Sequence, residues 1–314
     1  MNWHHSQLHS TYSIVARDPE TGQFGVAVQT HQMCVGAAVP WLQPGIGAVA
    51  TQSLTNVSFG PLGLTLLAEG VPAQHVVDAL VASDPGASRR QLAVVDREGR
   101  AAAWTGSGCI PEAGHRTGAG YSVQANMMTN PTVVDAMAAA YEGADGTLAQ
   151  RMLAALVAAQ AEGGDIRGMQ SAALKVVSGD PAKPVWEADY DLRVDEHERP
   201  LDELARLVRL RHGVRLDSLG SKLLGESKRG EALAQWATAR QEAPELEELP
   251  FWQGLELADT LNDISGAVAI LRPMLDADPR REHWTDLIRR LQVCGLLDRE
   301  GVADKLIAAL RQQD

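Results

Sequence analysis

Short apolar runs and turn signals alternate through the first two hundred residues of the chain. Runs rich in Val, Ala and Ile, bounded by Gly, Pro or Asp, are typical of strands. They predict strands at residues 12–17, 23–29, 46–52, 91–96, 101–105, 121–124, 171–177 and 185–192. Ala and Leu at spacings of three and four predict helices at 61–69, 72–82, 131–141, 147–161 and 200–211. This order predicts an α+β domain in which two packed sheets are flanked by helix pairs.

Beyond about residue 213 the pattern changes to amphipathic helices alone. The segment from Gly230 to Pro244 matches the segment from Gly266 to Pro279, and the two prolines lie 35 residues apart. This period is close to the 34 residues of tetratricopeptide repeats. We therefore predict an N-terminal extension or propeptide at 1–10, the α+β domain at 11–212 and a tetratricopeptide-like helical domain at 213–314. The repeats favour a partner-binding or dimerisation surface, and a helical appendage is an equally good interpretation.

Composition and charge exclude several classes of function. The net charge of -12 argues against broad binding to nucleic acid or anionic membranes. No apolar run approaches the length of a membrane span, and the first ten residues lack the features of a secretory signal, so cytoplasmic residence is expected. The cysteines are widely spaced and odd in number, which predicts neither a zinc site nor a disulfide framework (Cys34, Cys109 and Cys294).

Thr11 carries the chemistry that the sequence suggests most directly. It stands at the first position of a predicted strand, and Asp18-Pro19 and Thr21-Gly22 provide a turn soon after. If the peptide bond before a threonine is cut, the freed α-amine can act as the base for the side-chain hydroxyl. The alternative is an ordinary β-branched strand residue.

Several further segments recur with Thr11 in a fixed order. They are residues 24–31, 35–41, 45–53, 105–109, 113–115, 121–128 and 164–174. This set closely resembles domain of unknown function 1028, an uncharacterised family of the N-terminal-nucleophile hydrolase superfold, over roughly residues 11–210. The resemblance implies a four-layer αββα sandwich with Thr11 as nucleophile, and Ser13 lies on the same strand face. Many relatives have Met immediately before this threonine. Here ten residues precede it, and they are a removable propeptide, the product of an alternative start codon, or a permanent plug.

Polar residues at predicted strand ends are the other candidates for the site. The resemblance implies a cation at the end of the second strand that would lower the pKa of the α-amine of the nucleophile, and His31 would supply that charge or a hydrogen bond. A hydrogen-bonded histidine under a loop is the alternative interpretation of His31. The side chains of Gln52, Ser53 and Asn56 would cradle an oxyanion or a substrate amide. Gln124 and Asn126 are buried-looking amides with a structural or a site role, and we favour a site role for Asn126.

Two other pairs offer alternative chemistry. His115 and Cys109 form a rival base and thiol, although no local signature supports them. Asp165 and Arg167 are expected to form an ion pair, and Arg167 also suits a substrate carboxylate. The chain has no phosphate loop, metalloprotease helix or nucleophile elbow, and neither a metal nor a cofactor is implied.

Two hypotheses of different classes follow. The first is an amidohydrolase that acts on a small amide, ureido or peptide-like bond, with Thr11 as nucleophile after loss of residues 1–10. The second is a non-catalytic binding or assembly protein that uses its helical repeats. A homo-oligomer is expected from the apolar helices and repeats, and a protein partner at the repeats is a further expectation. The identity of the substrate is beyond the sequence.

Overall fold

A computed structural model describes residues 8–9, by their backbone, and residues 11–312 with their side chains. The predicted N-terminal extension therefore falls largely outside the described residues. The chain divides into two compact units, one that ends at Val208 and one that begins at Arg209.

Two antiparallel sheets form the framework of the N-terminal unit. The first sheet contains β1 (Leu8–His9), β4 (Pro40–Gln43), β5 (Gly47–Leu54), β6 (Arg90–Asp96) and β7 (Ala101–Thr105). The second contains β2 (Thr11–Arg17), β3 (Phe24–Thr30), β8 (Gly114–Gly118), β9 (Tyr121–Asn126), β10 (Ser171–Val177) and β11 (Tyr190–Val194). Strand order in the second sheet is β11-β10-β3-β2-β9-β8. In the first sheet β5 lies between β6 on one side and β4 and β1 on the other.

Helices cover the outer faces of both sheets. The first helix pair, α1 (Phe59–Ala68) and α2 (Ala73–Ser83), shares a buried apolar cluster with outward side chains of β5 and β6. The second pair, α3 (Val133–Gly143) and α4 (Leu148–Ala161), does the same with β2 and β9. Because side chains alternate along a strand, the other face of each sheet lies between the two sheets.

The inner faces of the two sheets change character along their length. Val15, Val26, Ala48 and Val95 share one buried apolar cluster that joins the sheets. Further along the same strands, on the same faces, the buried side chains are hydroxyls and amides. A stretch of polar groups without solvent requires mutual hydrogen bonds, and this stretch is where the candidate site lies.

The structure differs from the sequence predictions in four strands. Residues 185–189 lie outside the strand predicted at 185–192, because β11 begins at Tyr190, after the largely exposed Trp186 (82%). Strands β1, β4 and β8 were not predicted. β4 opens with a proline, and β8 is a largely exposed Gly-His-Arg-Thr-Gly segment without an apolar run.

The C-terminal unit is all helical, as the pattern predicts. Helix α5 (Pro200–Gly225) runs from the first unit into the second and is followed by α6 (Arg229–Glu242), α7 (Glu248–Leu261), α8 (Ile264–Ala277), α9 (Arg281–Val293) and α10 (Val302–Arg311). The two matched segments are α6 and α8, and Trp236, Phe251 and Leu271 share their apolar core. Gly213 does not end α5. A Cβ there would lie 2.7 Å from the Cβ of Ala243, so this glycine allows α5 to approach the end of α6 closely.

Candidate functional site

Six buried polar residues meet between the sheets, and we call them the polar cluster. They are Thr11, Ser13, Gln52, Gln91, Gln124 and Asn126, each at most 1% exposed. Pairing of β2 with β9 places Thr11 opposite Asn126 and Ser13 opposite Gln124. Pairing of β5 with β6 places Gln52 opposite Gln91. The cluster therefore brings together five of the predicted site residues, along with Gln91.

Hydrogen bonds inside the polar cluster join the two sheets. The hydroxyl of Ser13 donates to Gln52 Oε1 at 2.6 Å and accepts from Gln124 Nε2 at 2.5 Å. Gln52 Nε2 donates to Gln91 Oε1 at 2.7 Å, and Asn126 Nδ2 donates to the same oxygen at 2.9 Å. Gln91 Oε1 thus accepts one bond from each sheet, and the amides hold the sheets in a fixed register.

Gln91 is the cluster residue that the sequence analysis missed. Its Nε2 donates to the carbonyl oxygens of Ala125 at 2.8 Å and Gly114 at 3.1 Å, and to Thr105 Oγ1 at 2.9 Å. The sequence does contain a pattern that would have predicted it. Side chains alternate along a strand, so the apolar residues at 93 and 95 place residue 91 on the same, inner face.

The hydroxyl of Thr11 differs from the other polar groups of the cluster. It is fully buried, yet Oγ1 has no hydrogen-bond partner among the described residues. The main-chain carbonyl of Thr11 accepts from Gln52 Nε2 at 3.2 Å and from Asn126 Nδ2 at 3.4 Å. A buried hydroxyl without a hydrogen bond lowers the stability of the fold by about 1–3 kcal/mol. The packing of the neighbouring strands must offset this cost to keep Thr11 in place.

Backbone strain lies directly beside two of the cluster amides. Ser53 follows Gln52 with a φ of 69°, and Met127 follows Asn126 with a φ of 59°. This left-handed region is uncommon for residues other than glycine and costs of order 1–3 kcal/mol at each position. Strain of this kind collects at functional sites, where neighbouring structure enforces it.

A charged network fixes the end of β5, and we call it the β5 clamp. Asp84 accepts from Arg90 Nε at 2.8 Å and from Asn56 Nδ2 at 3.2 Å. Arg90 also donates to the carbonyl of Leu54, the last residue of β5. The Arg90 hydrogen bond holds the pKa of Asp84 below its ordinary value. Asn56, predicted to bind substrate, is therefore occupied in this clamp.

His31 and Arg167 lie outside the polar cluster. His31 is exposed, its main-chain nitrogen donates to Asp165 at 3.0 Å, and its ring Nδ1 lies 3.3 Å from the carbonyl of Met169. Arg167 forms the expected ion pair with Asp165, with 2.9 Å between Nη2 and Oδ2. His31 follows the last residue of β3 and Arg167 lies in the loop before β10, and spacing in sequence does not reveal the course of these loops.

Cys109 and His115 each have a different partner, which does not support a thiol–base pair. The Cys109 thiol donates to the carbonyl of Arg90, and burial raises the pKa of this thiol. His115 Nδ1 lies 2.8 Å from Thr105 Oγ1, and partial desolvation lowers the pKa of the imidazole.

A cavity of about 360 Å³ lies beside the cluster. Gly114, His115 and Ala125 are among its lining residues, together with the start of α3, and Gln91 reaches two of them through their carbonyls. Thr11 does not line this cavity.

Over residues 8–9 and 11–312, no group of three His, Cys, Asp or Glu side chains is placed to hold a metal ion. Within the same residues, no helix combines the length and the apolar character needed to cross a bilayer.

Comparison with known proteins places the chain in a family. Residues 11–204 match the model of a family of unknown function, DUF1028. The chain belongs to the DUF1028 family. A crystal structure of a DUF1028 protein from Silicibacter pomeroyi is similar, with 35% sequence identity and a TM-score of 0.58, over 63% of this chain and 88% of that one. The matched region of this DUF1028 protein includes the whole polar cluster. No curated protein matches the sequence.

Proposed function

We propose that this DUF1028 protein is an N-terminal-nucleophile hydrolase that cleaves an amide, ureido or peptide-like C–N bond, with Thr11 as nucleophile. The observation that carries the proposal is the buried Thr11 hydroxyl, which lies among polar groups and has no hydrogen-bond partner within residues 8–9 and 11–312. Two sheets that face each other, with helix pairs outside, are also the arrangement that the proposed αββα superfold requires.

The composition of the polar cluster supports an N-terminal base. Its six members carry only amides and hydroxyls, and none of these accepts a proton readily near neutral pH. A nucleophilic hydroxyl needs a base within hydrogen-bond reach. An α-amine on Thr11, with a pKa of about 8, would supply one as soon as the Ser10–Thr11 bond is cut.

The reaction then follows from these groups. The α-amine takes the proton of the Thr11 hydroxyl while Oγ1 attacks the substrate carbonyl carbon. The tetrahedral intermediate expels the amine product, which receives that proton, and leaves an ester on Thr11. Water hydrolyses the ester to a carboxylic acid and restores the hydroxyl. Gln52 and Asn126 act as positioning residues, because their amides hold the main-chain carbonyl of the nucleophile.

Intact-mass measurement on the purified protein tests the first requirement. We expect loss of residues 1–10 from the wild type and no loss from Thr11→Ala. The matched control is Thr65→Ala, since Thr65 is an exposed threonine that bonds only its own helix. A new N-terminus at Ser13 or Cys34 would overturn the assignment of the nucleophile.

Hydrolysis of a panel of amides and ureides tests the second requirement. We expect turnover by the processed wild type, none by Thr11→Ala, and partial activity in Thr11→Ser, which keeps a hydroxyl. Turnover by Thr11→Ala at the wild-type rate would refute the proposal.

A binding or assembly role is the second candidate, and the complete burial of Thr11 in the uncut chain favours it. In that case the helical repeats bind a protein partner or a second copy, and the chain stays uncut in cells. Light scattering measures the oligomeric state that this role predicts, and a monomer would remove the self-association.

A further inference from the structure

We propose that the edge of β5 at Ser53–Leu54, which β1 occupies, is the binding site for the main chain of an extended, peptide-like substrate. The proposal rests on the hydrolase function above and gives its substrate a class: the acyl side carries a peptide backbone that pairs as a strand. A small amide without such a backbone would then be a poor substrate.

The path of the chain around Thr11 is the first observation. Leu8 pairs with Leu54 and His9 with Ser53, antiparallel, in the first sheet. Thr11 pairs with Thr30 and Asn126 in the second sheet. Residues 8–9, which precede the Ser10–Thr11 bond, therefore form a strand on one sheet, while the nucleophile belongs to the other.

The chemistry of acyl transfer gives this arrangement its meaning. Residues 8–9 lie on the acyl side of the bond that must be cut before Thr11. A nucleophile attacks every acyl group from the same place, so the acyl side of a substrate is directed towards the position that residues 8–9 occupy. The N-terminal segment thus marks the path of the substrate.

The edge of β5 can exchange β1 for a substrate strand. β4 pairs with β5 only as far as Pro40 opposite Ala50, so β4 leaves the later part of this edge to β1. Once residues 1–10 are removed, the main chain at Ser53–Leu54 loses the strand that pairs with it on this edge. Exposed edges of this kind bind extended peptides through main-chain hydrogen bonds.

The β5 clamp keeps this edge in place without β1. Arg90 holds the carbonyl of Leu54 and is itself held by Asp84. Ser53 also pairs with Arg90 of β6, on the side away from β1. None of these contacts involves residues 1–10, so the site is organised before a substrate arrives, which lowers the entropy cost of binding.

The experiment uses the full chain with Thr11→Ala, so that nothing is cut. Into this background we would introduce Leu8→Pro or His9→Pro. Proline cannot donate to a ladder, and only one of two adjacent residues directs its N–H at the neighbouring strand. One substitution should therefore release β1, and the other serves as its matched control. Thermal unfolding confirms that both variants are folded.

Two measurements report the outcome. Hydrogen exchange followed by mass spectrometry should show faster exchange at residues 50–58 in one proline variant only. Calorimetric titration with the acetylated, amidated heptapeptide of residues 4–10 should show binding to that variant. Its apparent affinity for the other chains should be at least about tenfold weaker, because a tethered segment competes at an effective concentration in the millimolar range.

The outcomes separate this proposal from the hydrolase proposal. Release of β1 by both prolines or by neither, or no peptide binding where exchange is fast, would overturn the edge site. Hydrolysis of small amides together with a failed peptide titration would support the hydrolase proposal and refute only the edge site. Peptide binding by a protein that never hydrolyses an amide would support the edge site and refute the hydrolase.

Discussion

Replacing Gln91 by alanine tests whether the polar cluster holds the sheets together. The change removes the oxygen that accepts from Gln52 and Asn126, and the donor for the carbonyls of Gly114 and Ala125. Each buried group left unsatisfied costs about 1–3 kcal/mol, and partial re-pairing within the cluster lowers the sum, so we expect a loss of about 3 kcal/mol. In a unit of this size that corresponds to roughly 6–12 °C in Tm.

Calorimetry on wild type, Gln91→Ala, Gln91→Glu and Gln74→Ala makes the test specific. Gln74 bonds Asp78 on the exposed face of α2, and its loss should change stability by less than about 0.5 kcal/mol. The Gln91→Glu carboxyl keeps the shape but is buried, so its pKa rises in the folded state. That variant should be closest to wild type below about pH 4 and lose about 1.4 kcal/mol per unit as the pH rises above the unfolded pKa, until the folded pKa is reached.

The reasoning fails if Gln91→Ala melts within the range of the Gln74→Ala control. It also fails if Gln91→Glu becomes more stable, relative to wild type, as the pH rises from 4 to 7. Either result would mean that the amide network contributes little to the packing of the two sheets.

Two further predictions concern other parts of the protein. Burial raises the pKa of the Cys109 thiol, so iodoacetamide at pH 8 should alkylate the exposed Cys294 first, and faster labelling of Cys109 in the native protein would contradict this. Gly60→Ala in α1 would place a Cβ 2.2 Å from the ring of Trp41 and should destabilise by about 1–3 kcal/mol. The control Gly143→Ala in α3 meets nothing within 4 Å and should stabilise by about 0.4–1 kcal/mol in a denaturant titration; equal effects at the two glycines would refute the packing argument.

Local patterns were strong enough to predict two strands to the residue. Strands at 101–105 and 171–177 agree with β7 and β10, because apolar residues run between clear turn signals. Helix α4 begins one residue after Thr147, whose side chain forms a capping box with Gln150. The exposed strand β8 could not be predicted in this way, because it is held by pairing with β9 rather than by its own composition.

The candidate site was only partly predictable, because some of its residues are positioned by other parts of the chain rather than by their own local pattern. Thr11, Ser13 and Asn126 stand on strands whose inner face follows from alternation, and the structure brings them together. Whether a polar residue just past a strand end turns inward depends on loop geometry that the sequence leaves open. His31 turns outward, and Asn56 is drawn into the β5 clamp.

The continuity of α5 has a consequence for anyone who wishes to shorten this protein. The family match ends at residue 204, yet α5 continues to Gly225 without a loop. A chain stopped at 204 would lose Val208, which is 2% exposed and belongs to the apolar core under the second sheet, and would leave Leu204 on a frayed helix end. The limit of sequence similarity is therefore not a limit of folding, and a stop codon should follow residue 212 or later if the first unit is to keep its own core.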